Sequence, residues 1–127
     1  MLKSCRQLRN LYVASDVYLS ASKAEGLGIP ILEAMACGLP VVGCDTGAIT
    51  ELLADNRGFL ISSAFDFYDV WGNELRRMID IQEAYEVLDA ISESSFGAVE
   101  ALEYVKGRTF DIPVAQMIKK VEELTGG

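Results

Sequence analysis

The chain has 127 residues, half of them hydrophobic and 24% charged, which leaves room for one folded domain and argues against disorder. Eleven Lys and Arg face nineteen Asp and Glu, a net charge of −8, so the chain is not built to hold a nucleic-acid backbone. It has no histidine, which excludes His-dependent triads, His general bases and His-containing metal sites. Cys5, Cys37 and Cys44 form no C-x-x-C pair and read as small buried apolar residues in a reducing, cytoplasmic setting. No apolar run approaches the roughly 18 residues of a membrane span. The N-terminus carries Lys3, Arg6 and Arg9 and lacks the apolar core of a signal peptide.

In chain order, Leu8, Leu11, Tyr12 and Ser15 mark one face of a first helix. Val17–Leu19 is a short β-favouring run. Pro30 suits the first turn of a second helix, which continues through Ile31, Leu32, Ala34, Met35 and Ala36. Gly38 stops it, with Pro40 beyond. Val41-Val42 is a second strand and Asp45-Thr46-Gly47 a loop. Ile49, Leu52 and Leu53 line a third helix, Asp55–Gly58 turns, and Phe59–Ile61 is a third strand. Short apolar strands alternating with helices predict a parallel sheet and an α/β fold.

Phe65, Phe67, Tyr68 and Trp71 then crowd four aromatics into seven residues. Gly72-Asn73 allows a β-hairpin with a second arm from Leu75 to Ile79, or this is an irregular loop. A local satellite core is favoured over a binding surface for these aromatics. The last third reads as helical. Asp80 with Glu83 is a variant capping box, opening a helix lined by Ile81, Ala84, Leu88 and Ile91. A second helix spans about Ser95 to Lys106, ended by Gly107. A third starts near Pro113 with Val114, Met117, Ile118, Val121 and Leu124 on its core face.

The passage from Ser22 to Val42 carries the chemistry. A strand ends, a loop with Gly26 and Gly28 follows, and a helix begins. In open α/β sheets ligands bind at the carboxyl ends of strands, and glycines let backbone approach them. Free amides at the helix start favour an anion, which suggests a phosphate or sugar-phosphate site. Glu25 and Glu33 flank it. A carboxylate beside a diphosphate is repelled, so both suit hydroxyl groups: Glu33 a ribose diol, Glu25 a hydroxyl of a transferred sugar. Read bland, they are a solvated helix glutamate and a loop carboxylate, and on residue chemistry alone the two readings weigh evenly.

Seven residues separate Glu25 from Glu33. That spacing resembles the E-x7-E motif of retaining glycosyltransferases of the GT-B fold, family 4 (group 1). Neighbouring segments are similar to the family's as well: Leu11–Val17, Glu25–Pro30, Glu33–Val42, Gly47–Glu51 and Asn56–Leu60, with Phe110–Leu124 fitting its closing helix. The resemblance is dense from Leu8 to Leu60. It implies that the 127 residues form one partial, Rossmann-like nucleotide-sugar-binding domain, the later half of the GT-B C-terminal domain. It implies metal-free, cofactor-free transfer of a sugar from a nucleotide-sugar donor with retention. Glu25 would contact the donor sugar and support the reacting centre. Backbone amides of Gly26, Leu27, Gly28 and Ile29 would face the sugar and diphosphate, and Glu33 would hold the ribose.

The family's enzymes have two Rossmann-like domains, and their diphosphate-binding Arg and Lys lie earlier than this segment. Lys23 and Arg57 are poor substitutes by position. The chain is therefore expected to be inactive alone and to need the N-terminal domain or a partner chain. The alternative is a non-catalytic nucleotide-sugar-binding or interaction module, with self-association through an open sheet edge. A remote alternative rests on Asp45-Thr46-Gly47, which matches the signature of retroviral-type aspartic proteases, whose paired aspartates share one proton. That reading needs an all-β chain around the motif.

Overall fold

A computed structural model of the chain describes residues 4–70, 72, 75–93 and 98–108. The helix expected from Pro113, Trp71 and residues 95–97 lie outside the described residues.

Three short strands make a parallel sheet in the order β1-β2-β3: β1 (Tyr18–Ser20), β2 (Val41–Cys44) and β3 (Phe59–Ile61). Leu19 pairs with Val42, and Gly43 with Leu60. Helix α1 (Cys5–Val13) precedes β1, α2 (Ile29–Ala36) links β1 to β2, and α3 (Gly47–Leu53) links β2 to β3. This is the α/β arrangement that the alternation of elements predicts. The all-β surroundings that the protease reading requires are absent, because Asp45 follows the central strand of a parallel sheet.

Strand alternation sorts the sheet's side chains onto two faces. On one, Val41 joins Ile31, Ala34, Met35, Ile49, Leu52 and Leu53 in a core that α5 (Ala98–Lys106) completes through Ala101. On the other, Val42 and Ile61 meet Ala84 of α4 (Ile81–Glu93), with Val87, Leu88 and Ile91 around them. All four residues of β2 are buried, so the sheet is centred on it. Each fully buried aliphatic side chain here is worth about 1.5–3 kcal/mol.

Helix α2 stops as its glycine foretells. Gly38 has φ +74°, its amide donates to Met35 O at 3.0 Å, and the Leu39 amide donates to Ala34 O at 3.1 Å. These are the two bonds of a Schellman motif, closed by contact between buried Ala34 and Leu39.

The antiparallel hairpin is formed: β4 (Ser63–Tyr68) pairs with β5 (Leu75–Ile79), with a register shift between Ser63 and Phe65. Of its aromatics, Phe65 and Tyr68 do not build a satellite core, at 59% and 67% exposed, because no further layer covers those parts of the two-stranded ribbon, whereas Phe67 is half-buried beside Lys23. Three smaller expectations are corrected. Leu11 and Ile81 point outward, since the inward faces of α1 and α4 are taken by Leu8 with Tyr12 and by Ala84 with Leu88. Of the cysteines, Cys44 alone is buried, Cys37 is half-buried and Cys5 is exposed; all three are free thiols. The capping box is half realised. Asp80 Oδ1 accepts from the Gln82 and Glu83 amides, but Glu83 reaches the Ser62 amide at 2.7 Å and not the Asp80 amide. The Asp80 amide already donates to Ser62 O, so Glu83 closes a β3–α4 junction instead.

Candidate functional site at the carboxyl ends of the parallel strands

The chain leaves β1 and enters the loop that carries Glu25. One oxygen of this half-buried carboxylate, Oε1, accepts the Gly28 amide at 3.0 Å. That bond holds Gly28 at φ +72°, the left-handed conformation from which α2 starts. A Cβ at Gly28 would lie 2.5 Å from Leu52 Cδ1, so both backbone and packing require glycine there. Gly26 differs: a Cβ at this position meets nothing within 4 Å. The fold leaves that space open on the solvent side of the loop. Leu27 and Ile29 are about half exposed, at 54% and 46%. Pro30 near the start of α2 brings no amide, so the exposed helix start is a sparse set of donors.

Glu33 lies in the body of α2, half-buried. Its Oε2 accepts the Tyr12 hydroxyl at 3.1 Å. Tyr12 in turn sets its ring edge-on to Tyr18, centroids 6.0 Å apart at 61°. Burial pushes the Tyr12 phenol up to about 12, and its bond to the Glu33 carboxylate adds to the rise. Burial also raises the Tyr18 phenol, and next in size come the negative charges of both Glu25 and Glu33. Neither tyrosine was singled out from sequence, where each reads as a core aromatic of a short element.

The loop after β2 is stitched to the Glu25 loop. Thr46 Oγ1 donates to Lys23 O at 3.4 Å, and the Ala48 amide donates to Glu25 O at 3.0 Å. Gly47, at φ +50°, sits so close that a Cβ would approach Glu25 O to 2.6 Å. The Asp-Thr-Gly triplet is thus a brace for the Glu25 loop. Asp45 Oδ1 accepts from Thr50 and its Oδ2 lies 3.6 Å from Arg77 Nη1. The residues of β5 are the second feature that local sequence did not reveal. The Arg77 amide donates to Lys23 O at 3.1 Å and its guanidinium bonds Asp45 O. Arg76 joins Glu25, Gly26, Thr46 and Gly47 around a cavity of about 480 Å³.

Of the two cations weighed from sequence, Arg57 is committed elsewhere. It stacks on Tyr104 at 4.0 Å and donates to Leu52 O at 2.9 Å. Lys23 Nζ lies 5.7 Å over the Phe67 ring. Among the described residues, no cluster of three or more His, Cys, Asp or Glu is placed to hold a metal ion, and no helix is long and apolar enough to cross a membrane.

Comparison with known proteins adds what geometry alone does not. Residues 1–93 match the family model described as Glycosyl transferases group 1. The chain is 39% identical over 67 residues to the UDP-N-acetylglucosamine--peptide N-acetylglucosaminyltransferase GtfA subunit of Streptococcus pneumoniae, which covers 51% of this chain and 13% of that protein. It is 28% identical over 121 residues to the D-inositol 3-phosphate glycosyltransferase of Mycolicibacterium smegmatis, covering 95% of this chain and 26% of that protein. Its fold matches a chain in the crystal structure of a GtfA/B complex with a TM-score of 0.54, at 22% identity, over 91% of this chain and 23% of that one. The chain thus spans between 13% and 26% of the length of these two curated relatives.

Proposed function

The chain belongs to the glycosyl transferases group 1 family, and from that premise we propose that it is the donor-binding segment of a retaining glycosyltransferase that uses a nucleotide-sugar. The observation that supports the reading is the Glu25 loop beyond the carboxyl end of β1, where Glu25 Oε1 accepts the Gly28 amide and Glu25 and Gly26 line a cavity with Thr46 and Gly47. Glu25 faces the transferred sugar. With Oε1 engaged by Gly28, its second oxygen accepts a sugar hydroxyl, and its charge favours positive charge developing at the anomeric carbon. Glu33 takes the ribose diol of the nucleotide. A carboxylate has about four acceptor positions, and Tyr12 occupies one while fixing the group's orientation. Backbone at Gly26, Leu27 and Ile29 lines the approach of the sugar and diphosphate, with Gly28 shaping the turn.

The residues form one partial nucleotide-sugar-binding domain, acting in the cytoplasm without a cofactor, and the acceptor half of the enzyme is supplied from elsewhere. The exposed face of the edge strand β1 supports this. Leu19 is 44% exposed and opens, with Ile81 and Tyr85, onto an apolar groove that suits a further polypeptide segment or partner chain.

The test is a titration of the isotope-labelled chain with UDP-, GDP- and ADP-sugars, followed through amide chemical shifts. The expected result is weak binding, shifts confined to Gly26–Glu33 and their neighbours, and no donor turnover. Shifts that avoid this loop would overturn the site. Turnover by the chain alone, abolished in Glu25→Ala, would overturn the need for another half.

A further inference from the structure

Helices α1 and α2 touch through the Tyr12–Glu33 hydrogen bond, and a largely apolar cavity of about 380 Å³ lies between them. From α1 it is lined by Cys5, Leu8 and Tyr12, which share one face of the helix. From α2 it is lined by Glu33 and Cys37, one turn apart. Two free thiols therefore stand on the wall of one cavity, each on a different helix. Cys5 is the first residue of α1 and is exposed, while Cys37 caps the end of α2 and is half-buried. Burial leads the rise of the Tyr12 phenol to about 12, and negative charge on Cys37 is the last contributor, which puts that thiol within electrostatic reach of Tyr12. Helix α1 buries none of its residues fully, and its first turn is closed by the Ser4 side chain accepting the Gln7 amide. The end that carries Cys5 is thus secured by a cap and not by a packed core. A disulfide needs its two Cα atoms about 4.4–6.8 Å apart, so a bridge between these cysteines closes the space between the helices.

We propose that Cys5 and Cys37 are a reversible redox pair, whose disulfide draws α1 onto α2 and closes the cavity beside Glu33. The oxidant is a hydroperoxide, and exposed Cys5 meets it first. The Cys5 thiolate sulfur attacks one peroxide oxygen, the O–O bond breaks, and a sulfenic acid and one water result. The Cys37 sulfur then attacks the Cys5 sulfur, and the oxygen leaves as a second water. Two thiols and one hydrogen peroxide give one disulfide and two waters, with two electrons passing from sulfur to peroxide. A thiol reductant restores the open form by exchange through a mixed disulfide. Cys44 takes no part, because it is buried in β2. The disulfide itself follows from the two cysteines alone, and its consequence, weaker ligand binding at Glu33, rests on the donor-site reading above.

The experiment treats the full chain with excess hydrogen peroxide, counts the remaining thiols with a chromogenic disulfide, and maps the bonds by peptide mass spectrometry. Wild type, Cys5→Ser and Cys37→Ser are compared. In wild type the three free thiols should fall to one, Cys44, with a Cys5–Cys37 peptide as product. Dithiothreitol should restore all three. Neither serine variant should form a disulfide within the chain. A bond between two chains, a bond to Cys44, or no Cys5–Cys37 peptide in oxidised wild type would overturn the proposal. The consequence is read by titrating oxidised and reduced wild type with UDP-, GDP- and ADP-sugars. Binding should weaken severalfold on oxidation and recover on reduction, while Cys5→Ser should bind equally before and after peroxide. Equal binding by both forms of a chain that binds when reduced would overturn the switch. A reduced chain that binds no nucleotide-sugar would sink the donor-site reading instead. The Cys5–Cys37 peptide and the shifts of the Tyr12 and Glu33 amides on oxidation would then still decide this proposal, and unmoved amides would refute closure of the cavity.

Discussion

Glu25 carries two roles that a pair of substitutions separates. Its Oε1 satisfies the amide of buried Gly28, and the residue lines the cavity beside the loop. Glu25→Gln keeps a side-chain oxygen of the same length, so the Gly28 bond survives and the charge is lost. Glu25→Ala removes both and leaves a buried amide without its acceptor. That deletion should cost about 1–2 kcal/mol, the lower part of the range for an orphaned buried donor because the bond is only partly buried. For a domain of this size the loss lowers the melting temperature by roughly 4–8 °C. Thermal unfolding by circular dichroism, run beside nucleotide-sugar titration, separates the effects. Glu25→Gln should melt with wild type and bind the sugar end of the donor less well. Glu25→Ala should fail on both counts. Equal melting of Glu25→Ala and wild type would refute the claim that the carboxylate shapes the loop. Equal destabilisation of the two variants would show that charge and not the Gly28 bond matters to the fold.

Gly26 and Gly28 should respond in opposite ways to alanine. Gly28→Ala combines a left-handed residue with a Cβ 2.5 Å from buried Leu52, a loss of about 2–4 kcal/mol measurable by urea unfolding. Gly26→Ala meets nothing within 4 Å and should unfold within about 0.5 kcal/mol of wild type; a loss there comparable to Gly28→Ala would contradict the geometry. Tyr12 should make the fold alkali-sensitive. Burial first, then the bond to Glu33, lifts its phenol from the usual 10.0 to about 12, so between those values the unfolded chain releases a proton that the folded chain retains. Its stabilisation is complete below pH 10 and is lost as pH rises toward about 12. Tyr12→Phe should therefore flatten the decline in urea midpoint above pH 10, and a decline parallel to wild type would refute the assignment.

The order of elements was legible because each is short and punctuated. Pro30 and Gly38 bracket α2, and the Asp55–Gly58 turn separates α3 from β3. The E-x7-E spacing puts Glu25 on the β1–α2 loop and Glu33 in the body of α2. What local sequence could not show is every contact made over distance. Tyr12 is 21 residues from Glu33, and Arg77 meets the carbonyl of Asp45 from 32 residues away. Glu83 is the instructive failure: its spacing from Asp80 satisfies a local rule, yet Ser62, 21 residues earlier, offers the amide it takes. The Phe65–Tyr68 cluster misled for a related reason. Density of aromatics signals burial only where another layer exists to cover them, and Phe65 and Tyr68 lie on parts of the hairpin that no other element covers.

The bonds around Lys23 and Glu25 also explain why the loop needs no ligand to hold its shape. Lys23 O receives both Thr46 Oγ1 and the Arg77 amide, and Glu25 O receives the Ala48 amide. Glu25 Oε1 receives Gly28. The β1–α2 loop is thus fixed from three sides, by its own helix start, by the β2–α3 loop and by β5. Binding to a loop already set in this way avoids the cost of ordering it, so more of the contact energy appears as affinity. The same wiring makes the hairpin a remote control on the site. A substitution at Arg77 leaves its amide bond to Lys23 O in place but removes the guanidinium from Asp45, and so loosens the β2–α3 loop that braces Glu25 without touching any ligand.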